Sequence, residues 1–73
     1  MKGGGDMSEL AIFRMRQGIS QREMANRTGI NVTLLSSIER RRHVPNKNHV
    51  NRILEAYGIE RPEDFFEPSG LAK

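Results

Sequence analysis

The 73-residue sequence predicts an all-α fold, and three observations predict it. Apolar residues recur at helical spacing, most plainly Val50, Ile53, Leu54 and Tyr57 at i, i+3, i+4 and i+7. Ser8, Ser20, Asn31 and Asn46 each stand directly before such a segment, where a side-chain oxygen can cap the free N–H groups of a helix. Gly18, Gly29 and Gly58 stand where three of the segments end. No run alternates as a half-buried strand would.

Residues 1–7 read as a flexible leader, because Gly3, Gly4 and Gly5 have no side chains to pack. Residues 8–67 form the one expected domain. Within it, Ser8–Gln17 is the first helix, with Leu10 and Phe13 on one face. Ser20–Thr28 is the second, opened by a capping box of Ser20 and Glu23 and turned inward at Met24 and Ala25. Asn31–Arg40 is the third. At about 100° per residue, Leu34, Leu35 and Ile38 share one arc, and Val32, Thr33, Ser36, Ser37 and Arg40 share the other. Asn46–Tyr57 is the fourth. Pro62 opens a last turn that brings Phe65 and Phe66 to the core, and residues 68–73 read as a frayed tail.

Composition narrows the function. A chain of this length buries one small core and has little room for a deep substrate pocket. It has no cysteine, which excludes a disulfide-stapled domain and a Cys-based zinc finger. No apolar run approaches the roughly 20 residues of a membrane span, and the Gly-rich start lacks the apolar core of a signal peptide, so the expected address is cytoplasmic. Charge is uneven. Residues 14–52 carry nine lysines and arginines against two glutamates, a net +7, whereas residues 53–73 carry −3. The basic middle is the part suited to a polyanion.

No nucleophile–histidine–acid set and no phosphate-binding glycine loop is in view, so no enzyme activity is expected. His43 and His49 have no partner ligands. No metal, cofactor or small-molecule ligand is expected. The acids Glu60, Glu63, Asp64 and Glu67 read as a soluble edge.

Two short helices joined by a glycine turn, the second with a polar outward arc, make a helix-turn-helix. Gly18-Ile19-Ser20-Gln21-x-x-Met24-Ala25-x-x-Thr28-Gly29-Ile30-Asn31, followed by Leu35-x-x-Ile38-Glu39-Arg40, Pro45 and Leu54 to Ile59, resembles the signature of the lambda-repressor/Cro-like (XRE) family. The match runs from about residue 9 to 66. The resemblance implies a compact bundle of five short helices and a DNA-binding transcriptional regulator, a repressor, with helix 3 in the major groove. It implies base reading by Val32, Thr33, Ser36 and Ser37. It also implies phosphate contacts from Gln21, Arg14, Arg40, Arg42 and Asn31, and a structural ion pair of Arg14 with Glu39. The partner would be a double-stranded operator. A homodimer would supply the specificity that one short helix lacks, through the helix 4–5 side with Ile59, Phe65 and Phe66.

Three positions depart from the family. Arg41 stands where glycine is usual, so that turn either takes another backbone geometry or carries strain. Leu34 replaces a small polar residue and either packs inward or touches sugar and methyl groups. Val32 and Thr33 offer no amide or guanidinium for bidentate base contacts, which favours readout through DNA shape or water. The same weak reading face fits an alternative, a protein-interaction module of this fold such as an antitoxin or an anti-repressor partner.

Overall fold

The structure is a computed structural model that describes residues 7–73; the expected leader lies outside the described residues except for Met7, which is exposed. Four α-helices follow in order: α1 Glu9–Arg16, α2 Gln21–Thr28, α3 Val32–Glu39 and α4 Lys47–Tyr57. Each starts on its expected cap. Ser8 Oγ accepts from Ala11 N, Ser20 Oγ from Glu23 N, Asn31 Oδ1 from Thr33 N and Asn46 Oδ1 from His49 N, at 2.8–3.1 Å. Of the expected capping box only the Ser20 half is seen: the Glu23 carboxylate accepts from Arg27 Nε one turn on. No described helix is long and apolar enough to cross a membrane.

Leu10, Met24, Leu35, Ile38 and Ile53 are wholly buried and form the core, closed by Ile30, Tyr57, Ile59 and Phe66. α2 packs against both α3 and α4. Between α2 and α3, Gly29 takes φ +73, a value that a residue with a Cβ resists. Thr28 Oγ1 donates to Ala25 O and accepts from Ile30 N, which fixes the turn and sends Ile30 into the core. Leu34 is half-buried against the core, so it packs inward.

Two expectations need correction. The fifth helix is only a 3-10 turn over Pro62–Asp64. Phe65 and Phe66 both donate to Pro62 O, and the chain then leaves helical geometry. The tail is not frayed. Phe66 forms an antiparallel bridge with Ala72, which is fully buried. Glu67 N donates to Leu71 O, and Lys73 N to Phe65 O. Lys73 O in turn accepts from Glu9 N, one of the free donors at the start of α1. Phe65 lies edge-on to Phe13 with ring centroids 5.0 Å apart. The apolar side expected to pair two copies is therefore largely filled from within: Ile59 is 9 % exposed and Phe66 6 %.

One carboxylate ties the four helices together. Glu39, at the end of α3, is 2 % exposed. Its Oε2 accepts from Arg14 Nε at 2.8 Å and from the Tyr57 hydroxyl at 2.5 Å. Its Oε1 accepts from Arg14 Nη2 and Gln21 Nε2, both at 3.1 Å. Arg14 Nη1 also donates to Ile19 O at 2.8 Å, which ties α1 to the start of α2. A buried charge is tolerated only when it is paired and hydrogen-bonded, and both oxygens here are. Burial, then the bond to Glu39 and its charge, hold the Tyr57 hydroxyl protonated far above the ordinary 10.0, against a smaller opposing pull from Arg14.

Two outcomes follow. The unfolded chain ionises its one tyrosine near pH 10, while the folded chain keeps the proton. Tyr57 thus contributes stability in full below pH about 10, and this is lost as pH rises above it. Thermal melts across that range should fall for the parent and fall less steeply for Tyr57→Phe, and tyrosinate absorbance should appear with unfolding rather than before it. Removing residues 68–73 should lower stability by about 2 kcal/mol, since it deletes several backbone hydrogen bonds and uncovers apolar surface. A melting midpoint equal to that of the parent would show that the returning segment contributes nothing.

Candidate nucleic-acid interface

The outward arc of α3 begins with Val32, 38 % exposed, and Thr33, also exposed. Ser36 and Ser37 continue it one turn later, half-buried. All four expected base readers thus lie on one helix, and none carries a charge. The arc presents hydroxyl groups and a branched apolar group. Hydroxyls both donate and accept, so they suit several base edges.

Charge follows the arc where α3 ends. Arg40, Arg41, Arg42 and His43 are exposed where α3 ends. Gln21, the first residue of α2, is half-buried and gives one amide hydrogen to Glu39, which leaves its second donor uncommitted to that bond. Gln21 and Arg40 line one shallow depression of about 310 Å³ with Met7 and Met15. The N-terminus of α2 and the C-terminus of α3 are therefore neighbours. Asn31 is exposed at the opposite end of α3, and its Oδ1 is held by the cap.

Arg14 borders the same depression as Gln21 and Arg40. It was expected both in the ion pair and on phosphate, and the geometry realises the pair. At 9 % exposure, its guanidinium directs three bonds to Glu39 and Ile19. The reason is electrostatic: a buried Glu39 requires the cation beside it.

The Arg41 turn keeps the glycine geometry and accepts the strain, with φ +63. The role of Tyr57 in the Glu39 junction escaped the sequence reading, which took it for core alone. A signal existed: an arginine cannot satisfy every lone pair of a buried carboxylate, and the chain's one tyrosine sits on the buried stripe of α4. Among the described residues, no group of three or more His, Asp or Glu is placed to hold a metal ion.

Comparison with known proteins agrees with this geometry. The model of a helix-turn-helix domain family matches residues 8–64. The HTH-type transcriptional regulator PuuR of Escherichia coli (strain K12) is 34 % identical over 59 residues, covering 81 % of this chain and 32 % of its own. The protein of the same name from Shigella flexneri matches with the same identity and coverage. The chain thus spans about a third of the length of the curated relatives it matches. No solved structure matches it. With α2, the Gly29 turn and α3 in place, the chain belongs to the helix-turn-helix domain family and is of the XRE-like kind.

Proposed function

We propose that this domain binds double-stranded DNA and regulates transcription, with α3 inserted in the major groove. The observation that carries the reading is the division of α3 and its surroundings. An uncharged arc of Val32, Thr33, Ser36 and Ser37 is followed, where α3 ends, by exposed arginines, with Gln21 beside Arg40 there. Such a surface meets base edges with small groups and phosphates with cations, which matches how proteins sort these contacts on a duplex. The relatives' printed name, a transcriptional regulator, points the same way.

In this reading, Arg40 and Arg42 contact phosphates beyond the end of α3. Gln21 does so from the start of α2, where helix N–H groups favour an anion. Asn31 approaches the backbone at the other end. Arg14 acts only through the structure. The protein works as a cytoplasmic repressor, by occupying its operator. Two copies on adjacent half-sites supply the specificity that hydroxyl groups alone do not. Contact between the copies falls outside Ile59 and Phe66, which are internal.

The reading is tested by fluorescence anisotropy against the gene's upstream DNA and a scrambled control at several salt concentrations. Preference for the native region by about 10³-fold establishes a sequence-specific regulator. Arg40→Ala combined with Arg42→Ala should weaken binding to every duplex alike and lower the salt slope by about 1.8. Thr33→Ala should alter base preference and leave that slope alone. Absence of duplex binding at low salt would sink the DNA reading and turn attention to a protein partner, which the lack of amides on the α3 arc would then fit.

A further inference from the structure

Between α3 and α4 the chain runs from Arg40 to Asn46 with little of its own to hold it. Arg41 N donates to Ile38 O at 3.1 Å and Arg42 N to Ser37 O at 2.9 Å, which closes α3. Beyond Arg42, the backbone of His43, Val44 and Pro45 makes no hydrogen bond to another backbone group among the described residues. Pro45 is buried but has no N–H to offer, and its ring fixes only its own φ. Val44 is 50 % exposed. The next anchor is Asn46, whose carbonyl accepts from Val50 N and whose side chain caps α4.

The returning C-terminal segment supplies a support. Its turn is closed by Gly70 N donating to Glu67 O and by Glu67 N donating to Leu71 O, both at 2.8 Å. Its base is fixed by fully buried Ala72, bridged to Phe66, and by Lys73, which is bonded to Phe65 O and Glu9 N. The tip of this turn lies against the connection. A Cβ at Gly70 would stand 3.2 Å from Val44 Cγ1 and 3.8 Å from Pro45 O. The first distance is shorter than the roughly 3.5–4.0 Å at which carbon atoms pack, so the close approach depends on glycine. Arg42 is thus held from both sides: its N–H by α3, and the chain two residues on by the returning turn.

We propose that Gly70 and Val44 are positioning residues for DNA binding: the returning turn backs the connection after α3 and so sets where Arg42 meets a phosphate. This rests on the DNA reading above. Neither residue touches the duplex; both act through the path of the backbone. An arginine on an unsupported segment loses conformational freedom when it docks, and one on a supported segment has less to lose.

Complementary substitutions separate this contact from folding. Gly70→Ala presses a methyl group on Val44 and also takes on a φ of +98, so it should melt lower than the parent by roughly 4 °C. On a short mixed-sequence duplex, well below every melting midpoint, its affinity at about 0.1 M salt should fall roughly eight-fold and its salt slope by about 0.9, the worth of one phosphate contact. Val44→Ala opens a gap at the same contact from the exposed side. It should lose affinity and slope alike with little change in melting, and it carries the test if Gly70→Ala does not fold. Gly70→Ala combined with Val44→Ala refills the gap. The double variant should recover the parent's affinity and slope while still melting low from backbone strain. Amide NMR spectra of the free protein add a second readout: the Arg42 and His43 signals should shift in each single variant and return in the double. Folded single variants that bind with the parent's affinity and slope would overturn the proposal. So would a double variant that recovers neither, because the loss would then come from strain and not from the contact. If the parent itself shows no duplex binding, the DNA reading fails and this proposal fails with it, whereas unshifted Arg42 and His43 amides sink this proposal alone.

Discussion

The arrangement of this domain depends on the Glu39 carboxylate. Four hydrogen bonds reach it from three side chains, each 18 or 25 residues away in sequence. Arg14 comes from α1, Gln21 from α2 and Tyr57 from α4, and Glu39 itself ends α3. Burial of Leu10, Met24, Leu35, Ile38 and Ile53 supplies the bulk of the folding free energy, but apolar contacts are not directional. The carboxylate adds direction. A half-satisfied buried carboxylate would be costly, so the four helices must meet at one angle set or leave donors and acceptors unpaired. Because Glu39 is the last residue of α3, the same junction fixes where the basic run begins.

The junction also explains why the two helices of the motif differ in what they expose. Gln21 is drawn partly inward at the start of α2, while α3 is anchored at its far end and turns its uncharged arc to solvent. The Gly29 turn sets the angle between them, and Thr28 and Ile30 lock that turn from the buried side. The returning C-terminal segment completes the enclosure. Lys73 O accepts one of the free N–H groups of α1, so the last described residue is tied directly to the start of α1.

What was legible in the sequence was mostly local. The four caps, the glycine ends and the stripe of α4 depend on residues within one or two turns of each other, and each appears where its pattern put it. The ion pair of Arg14 and Glu39 was reached through the family pattern and not from spacing. What was missed was non-local or double-natured. Pro68, Ser69 and Gly70 read as chain breakers, and they do break the chain, but into a turn that returns Ala72 to Phe66. Nothing within the six residues themselves indicates that α1 waits with an unpaired donor. Tyr57 satisfied a core stripe so well that its hydroxyl went unread. Arg14 carries a charge, and charge in a basic region suggests exposure until a buried partner claims it.

On the DNA reading, these constraints divide binding into two separable parts. Arginines on the rim attract any duplex, since phosphates are the same in every sequence. The arc before them holds hydroxyls and one branched apolar side chain, which discriminate weakly because a hydroxyl can donate or accept. Strengthening the rim alone would raise affinity for all DNA and leave the preference for one site unchanged. Selectivity must then come from features that multiply a weak preference: a second copy in register, or the energy of fitting a rigid α3 into a groove of the right width. The rigidity of α3 is therefore part of its recognition chemistry, and that rigidity leads back to the buried carboxylate at its end.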